Sequence, residues 1–169
     1  MNAATPVGHD EVDRLIAAWQ RERPDVDVSP MAVLSRISRL AVHLDRARQQ
    51  AFSAHGLVGW EFDVLSALRR SGEPYQLSPG QLLAETLVTS GTMTNRVDRL
   101  VQRGLVERRP DPDDRRGVMV RLTADGRGAV DAALAELMRH ERELLSALGA
   151  GDVEHLATAL RSLTVPFES

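Results

Sequence analysis

The segment from residue 90 to residue 123, SGTMTNRVDRLVQRGLVERRPDPDDRRGVMVRLT, restricts the possible folds of this chain more than any other part of it. Its first part has apolar residues at helical spacing, and its later part has two runs in which apolar and polar residues alternate. Alternation of this kind is typical of half-buried strands. The two runs are joined by PDPDDRR, which is too charged for a core. The segment therefore predicts a short helix followed by a β-hairpin.

The same segment has a local excess of positive charge. It holds eight arginines, with Arg127 just beyond, against five acidic residues, while the net charge of the whole chain is -3. A basic patch in an otherwise acidic chain is typical of a surface that contacts nucleic-acid phosphates. The segment is therefore a candidate nucleic-acid interface.

The helix of this segment has two distinct faces when its residues are placed at about 100° each. The face predicted to pack on the core carries Met93, Val97, Leu100 and Val101. The opposite face carries small residues and hydrogen-bond donors suited to base edges and phosphates. With two arginines of the hairpin turn included, the candidate DNA contacts are Ser90, Gly91, Thr92, Thr94, Asn95, Arg99, Arg115 and Arg116. A solvated helix face is the alternative reading, but a helix before and a hairpin after it favour a helix-turn-helix with a wing.

The turn of the hairpin is expected to act as the tip of this wing. An exposed Arg115 or Arg116 suits a narrow minor groove, where the potential of DNA is most negative. We expect Asp114 to brace an arginine by a salt bridge rather than to touch DNA. An ordinary charged hairpin is the alternative.

Most of the remaining chain predicts helices. They are expected at residues 10–22, 31–55, 60–68, 78–85 and 124–163, the last of these broken at GAGD. The fold class is therefore mainly α with a small β-wing. We expect a single domain over residues 1–169, with the winged helix-turn-helix lobe at 57–123 and a helical dimerisation region at 10–55 and 124–165.

Composition narrows the function further. The chain has no cysteine, no apolar run long enough to span a membrane and no basic, apolar leader, so we expect a cytoplasmic protein with no membrane partner. No nucleophile motif or phosphate-binding loop is present, and the five histidines lack ligand spacing. We therefore expect no enzymatic activity, no cofactor and no metal. A metal sensor stays an alternative, since histidines and acids of separate helices could converge.

The run from Ser90 to Thr123, with the D-x-R pattern at 114–116 and V-x-LT-x-x-G at 120–126, resembles the MarR family of bacterial transcription regulators. The resemblance covers about residues 31 to 163. It implies a homodimer in which each subunit presents one winged helix to half of a palindromic operator in double-stranded DNA. It also favours repression as the mode of regulation.

The C-terminal helices give independent support for dimerisation. Apolar residues recur at helical spacing outside the winged-helix lobe, where they need an apolar partner. They are Val130, Ala133, Leu134, Leu137, Leu144, Leu145, Leu148, Val153, Leu156, Leu160 and Leu163. The alternative is that these helices fold back on their own subunit.

A narrower resemblance concerns four residues and the extra N-terminal helix. Trp19, Asp63, Arg96 and Arg108 are similar to the Trp, Asp and two Arg that line a ligand pocket in the urate-responsive, PecS-like branch of this family. The resemblance implies a small anionic effector, such as urate, that releases the regulator from DNA. The chemistry is consistent, since an aromatic ring can stack on a planar anion and a guanidinium can pair with it.

Alternatives remain for these four residues and for the ligand. Asp63 and Arg96 would also suit a structural salt bridge, and Trp19 would suit plain core packing. Citrate or aconitate could use the same arginines, whereas a phenolic compound would need mainly apolar walls.

Overall fold

The computed structural model describes residues 8–86, 90–112, 114 and 117–167. Within these residues it contains seven α-helices, three β-strands and a terminal 3₁₀ turn, Val165–Phe167. They are α1 (Glu11–Glu22), α2 (Met31–Ser53), α3 (Gly59–Arg70), β1 (Gln76–Leu77), α4 (Pro79–Thr86), α5 (Ser90–Gln102), β2 (Val106–Pro110), β3 (Val118–Leu122), α6 (Ala124–Leu145) and α7 (Ala150–Thr164). The predicted class, mainly α with a small β-wing, is confirmed. None of the helices in the described ranges is long and apolar enough to cross a bilayer.

The chain divides into two compact units, one ending at Arg46 and the other beginning at Ala47. The N-terminal unit contains α1 and most of α2. Of its described apolar residues only Val12 and Val28 are buried. Polar contacts therefore have a large part in organising this unit.

Helix α1 begins at a reciprocal cap. The Asp10 carboxylate accepts hydrogen bonds from the backbone N–H groups of Val12 (2.8 Å) and Asp13 (3.0 Å), and the Asp13 carboxylate accepts one from the N–H of Asp10 (2.9 Å). The Arg36 guanidinium on α2 pairs with both carboxylates, at 2.8 Å from Asp10 and 2.7 Å from Asp13. The same cap thus satisfies the first turn of α1 and ties it to α2.

The second unit has a continuous apolar core between α3, α4, α5, α6 and the sheet. Leu65, Leu68, Leu82 and Leu100 are fully buried in it. The end of α2 joins this core through Phe52, whose ring stacks on that of Phe62 with centroids 4.0 Å apart. Burial of this many large aliphatic side chains supplies the main stabilisation of the unit.

The three strands form one antiparallel sheet in the order β1-β3-β2. The hairpin pairs Val106 with Leu122 and Arg108 with Val120, and the side chains of Val106, Val120 and Leu122 are buried in the core. The third strand, β1, was not predicted, because two residues are too few to show an alternating pattern. Ser78 caps α4, since its hydroxyl accepts a hydrogen bond from the N–H of Gln81.

Candidate nucleic-acid interface

Helix α5 presents one buried and one exposed face, as the sequence predicts. Met93, Val97 and Leu100 are buried in the core. Val101 was placed on the same face, and that prediction is wrong: it is 37% exposed, because it lies at the edge of the helix face that the core covers. The candidate DNA contacts on the opposite face, all exposed, are Gly91, Thr92, Thr94, Asn95 and Arg99. Ser90 begins the helix, and its side chain lies outside the described residues.

Four of these exposed residues lie in the first half of α5, which follows α4 in the chain, and Arg99 lies in its last turn. A helix N-terminus carries unsatisfied N–H groups and a partial positive charge, so it attracts phosphates. Asn95 offers an amide that can bond the edge of an adenine, and Arg99 offers a fork for guanine or phosphate. The exposed face of α5 therefore has the chemistry of a helix that enters a major groove.

The base of the wing is closed by backbone hydrogen bonds. The N–H of Asp111 donates to the carbonyl of Gly117 (3.0 Å), and the N–H of Gly117 donates to the carbonyl of Asp114 (2.8 Å). A side chain at position 117 would come within 2.7 Å of the Asp111 Cβ, so glycine is required there. The predicted minor-groove residues Arg115 and Arg116 lie outside the described residues.

Asp63 and Arg96 are brought within electrostatic reach of each other. Partial burial of its carboxyl raises the pKa of Asp63 above the ordinary value, and the positive charges of Arg96, Arg48 and Arg70 oppose that rise. Asp63 also lines a small cleft of about 190 Å³ beside Ser66. An anion that approached Arg96 would therefore meet a carboxyl that accepts a proton more readily than usual.

Arg108 has a different neighbour. Its guanidinium lies 2.7 Å from the carboxylate of Asp98 on α5, and both side chains are a little over 40% exposed. The register explains the contact, since Arg108 lies two residues after buried Val106 and opposite buried Val120, on the face turned towards α5. The pattern Val-x-Arg of the strand carries this signal, which the sequence analysis did not use.

The indole of Trp60 lies beside two arginines of α5. The Cζ atom of Arg96 is 5.4 Å from the ring centroid, and that of Arg99 is 5.8 Å from it. Both distances are within the range of a cation–π contact. Neither contact was predicted from the sequence.

The fourth predicted ligand residue, Trp19, lies on α1 in the N-terminal unit. It is 46% exposed, so plain core packing does not account for it within that unit. No group of three or more His, Asp and Glu side chains that could hold a metal ion occurs among the described residues.

Comparison with known proteins matches these features. A model of the MarR family matches residues 55–117, which run from the end of α2 to the wing. The regulator PecS of Dickeya dadantii is 39% identical to the chain over 150 residues, which cover 89% of the chain and 90% of PecS. The chain belongs to the MarR family.

Two other relatives agree with this assignment. The multiple antibiotic resistance protein MarR of Salmonella typhimurium is 33% identical over 126 residues, covering 70% of the chain and 81% of that protein. A crystal structure of a MarR variant from E. coli complexed with operator DNA superposes with a TM-score of 0.65 at 28% identity, covering 82% of the chain and 99% of that structure. The predicted resemblance is confirmed, and the chain is a DNA-binding transcriptional regulator with a winged-helix fold.

In this MarR-family protein an ion pair with a buried carboxylate fixes the far end of α5. The Glu61 carboxylate, which is 4% exposed, pairs with the Arg103 guanidinium and accepts a hydrogen bond from the N–H of Val58 (3.1 Å). Arg103 also donates to the carbonyl of Gly56 (2.8 Å). These contacts join the start of α3 and the end of α5. The sequence analysis missed Glu61, although an acid in the first turn of an apolar helix was the available signal.

The LT-x-x-G motif after the wing also has a structural explanation. Thr123 caps α6 by accepting from the N–H of Gly126 (3.0 Å), and it donates to the carbonyl of Gly104 (2.7 Å). A Cβ at position 126 would lie 2.0 Å from the carbonyl oxygen of Leu105, so only glycine permits this approach. The motif therefore fixes α6 to the segment that joins α5 to the wing.

Proposed function

We propose that this regulator is a homodimeric repressor that binds a palindromic operator through α5 and the wing and is released by a small, flat anion such as urate. The observation that carries the proposal is the exposed face of α5, with Asn95 and Arg99 outward and Met93, Val97 and Leu100 buried beneath them. Such a regulator would act in the cytoplasm, where the chromosome is accessible, and we propose no catalytic role.

For DNA binding we propose that α5 reads bases and that the wing adds backbone and minor-groove contacts. Thr92, Asn95 and Arg99 would face the major groove, with Ser90, Gly91 and Thr94 close to the phosphates. Arg115 and Arg116 are proposed for the minor groove on the basis of sequence alone.

Exposed apolar side chains support a homodimer. On the second unit the predicted dimerisation residues separate into two groups. Val130, Ala133 and Leu137 are buried in the unit's own core, so for them the fold-back alternative holds. Large apolar side chains that stay exposed are Leu134, Leu144, Leu145, Leu148, Leu156 and Leu163. Helix α7 has no buried residue along its 15 residues. A helix with an apolar, uncovered stripe is typical of a surface that another chain covers.

The N-terminal unit shows the same feature by itself. Its α2 residues Val33, Leu34, Ile37, Leu40 and Val42 are all at least 36% exposed. A second copy of the chain would offer an equivalent surface, as two-fold symmetry requires. The two half-sites of a palindromic operator would then match the two subunits.

For the effector we propose that Arg96 and Arg108 pair with the anion and that Asp63 senses its charge, while a stacking role for Trp19 is proposed from the sequence alone. Repulsion by the anion would raise the pKa of Asp63 further, because that carboxyl is already partly buried. Arg108 would have to exchange Asp98 for the ligand, which would loosen the tie between the wing and α5. A ligand that prefers such a rearranged state lowers DNA affinity by its differential affinity for the two states.

The test is fluorescence anisotropy on labelled DNA from the region upstream of the protein's own gene, titrated with urate at fixed salt, because phosphate contacts make DNA affinity depend on salt. We expect tight binding and release at sub-millimolar urate. The Asp63→Asn variant should bind urate at least as tightly, since repulsion is removed, but should release DNA less.

Citrate at matched ionic strength is the control ligand. If the protein binds DNA tightly, and citrate or aconitate releases the DNA while urate does not, the effector is a polycarboxylate. A response to a phenolic compound, or loss of DNA binding in chelator, would point to the other two alternatives. Absence of specific binding would overturn the proposed DNA interface.

A further inference from the structure

The first turn of α3 holds three arginines of the DNA-reading helix. Trp60 lies beside Arg96 and Arg99, and the next residue, Glu61, pairs with Arg103. The three arginines follow one another at intervals of three and four residues, so they form a row on one side of α5. Two of them share a single aromatic ring.

Sharing one ring has a physical consequence. The ring attracts each guanidinium through its negative face, but two guanidiniums beside the same indole repel each other. Removing one therefore strengthens the hold of the ring on the other. The contact of Arg96 with the Trp60 ring and the contact of Arg99 with the same ring therefore weaken each other.

Arg99 has room to leave the ring. Trp60 is partly buried, and with Arg99 it lines an open cleft of about 390 Å³ whose other walls include Val58 and Gln102. The indole is thus accessible at the surface rather than enclosed in the core. Arg99 can exchange the ring for solvent or for a DNA phosphate without unpacking buried side chains.

We infer that Trp60 is a positioning residue that couples Arg96 to Arg99, so that a ligand held by Arg96 turns Arg99 back onto the indole and away from DNA. The ligand clause rests on the proposed function, in which an anion binds Arg96. The coupling of the two arginines through Trp60 stands on the two contacts alone.

The direction of the effect follows from the competition. An anion that draws Arg96 off the indole leaves Arg99 bound more strongly to it, so DNA must overcome a larger attraction to engage Arg99. DNA that engages Arg99 leaves Arg96 held more strongly, so ligand affinity falls by the same factor, as linkage requires. Binding of DNA and binding of the ligand therefore weaken each other through Trp60. The two arginines involved lie about one helical turn apart.

The experiment is a double-mutant cycle in the full-length protein with no ligand present. DNA affinity is measured at fixed salt for wild type, Arg96→Ala, Trp60→Leu and the double variant. Arg96→Ala imitates withdrawal of Arg96 by a ligand. Loss of one positive charge near DNA weakens binding equally in both backgrounds, so the cycle cancels it.

We expect Arg96→Ala to weaken DNA binding by roughly twofold to fivefold more in the Trp60 protein than in Trp60→Leu, the range that an exposed cation–π contact supplies. Trp60→Phe keeps a smaller aromatic face and should restore part of the difference. Equal effects of Arg96→Ala in both backgrounds would overturn the inference.

A second measurement covers the case in which Trp60→Leu fails to fold. The chain has two tryptophans, so Trp19→Phe leaves the indole N–H of Trp60 as a single NMR signal. Arg96→Ala and Arg99→Ala should each change the chemical shift of that signal. The change caused by Arg99→Ala should be larger in the Arg96→Ala protein than in the protein that retains Arg96. If neither variant changes the chemical shift of the Trp60 indole N–H, the two arginines do not share the ring.

The ligand titration is kept separate. If urate does not release wild type from DNA but the effects of the Arg96 and Trp60 substitutions on DNA affinity are non-additive, the coupling of the two arginines holds. Only the assignment of the effector then fails. If urate releases wild type and Trp60→Leu from DNA by the same factor, the proposed function holds and the role of Trp60 is refuted.

Discussion

The two units of the chain are stabilised in different ways. The second unit has a continuous core of fully buried leucines and valines, whereas the N-terminal unit buries only Val12 and Val28 among its described apolar residues. In the N-terminal unit α1 is tied to α2 by Arg36 and Arg39, which pair with acids at the start of α1. These pairs are exposed, and exposed pairs contribute little and are screened by salt.

In the homodimer that we propose, this difference identifies the surfaces that depend on the second copy of the chain. A unit with its own core can hold α5 and the wing in a fixed geometry, as DNA reading requires. A unit with few buried apolar residues and many exposed ones gains most of its stability on association. Substitutions in the two units should therefore have different kinds of effect.

The largest effect is expected from Leu65→Ala. Leu65 is fully buried, so its truncation leaves a cavity and should lower the free energy of unfolding by about 2–5 kcal/mol. Urea denaturation followed by circular dichroism measures this.

Leu34→Ala is the matched control in the other unit. Leu34 is 56% exposed, so we expect the monomer's unfolding to change by no more than about 0.5 kcal/mol, while self-association measured by sedimentation weakens. Equal losses of monomer stability in both variants would contradict the contrast between the units.

A smaller loss is expected from Glu61→Gln, which removes the charge of a buried carboxylate that faces Arg103. We expect about 1–2 kcal/mol, because Glu61 is buried but Arg103 is 41% exposed and keeps part of its hydration. Glu85→Gln is the control, since its pair with Arg70 is exposed on both sides and should contribute less than about 1 kcal/mol. A Glu85 effect as large as that of Glu61 would show that burial is not the cause.

The smallest effect concerns acid. The hydrogen bonds of Arg36 and of the first turn of α1 lower the pKa of Asp10 from 3.8 to about 2. A lowered pKa stabilises the folded form above the unfolded value, and that stabilisation is lost as pH falls from about 4 towards 2. Hydrogen exchange of the α1 amides should accelerate over this range, and Asp10→Asn should reduce the pH step, leaving the part due to Asp13, whose pKa the same cap also lowers. A step of undiminished size in the variant would assign it to another group.

Much of the fold was predictable, because regular patterns report regular structure. The helical spacing of Met93, Val97 and Leu100 predicted the buried face of α5, and alternation predicted the hairpin. The strand β1 and the exposure of Val101 were not predicted, since one is too short for a pattern and the other depends on where the core ends.

The site was predictable only in part. Outward residues of α5 follow from helix geometry, whereas the role of Asp63 and Arg96 in binding a ligand stays a prediction, although the charge of Arg96 acts on Asp63. The contacts of Trp60 with two arginines, the pair of Glu61 with Arg103 and the pair of Arg108 with Asp98 were missed. Each contact joins side chains of two different elements, so spacing within one element can mark a residue but cannot identify its partner.

The most direct test of the DNA interface is anisotropy with two DNA duplexes, the upstream region of the gene and a scrambled duplex of equal length, at fixed salt. Asn95→Ala removes from the exposed face of α5 the amide that we propose reads a base, and Gln102→Ala, two turns further along the helix, is the control. We predict that Asn95→Ala weakens binding to the upstream duplex by about tenfold, the cost of one lost base contact, and leaves the scrambled duplex unchanged. Wild-type affinity of Asn95→Ala for the upstream duplex, or an equal loss on both duplexes, would contradict the assignment of α5 as the reading helix.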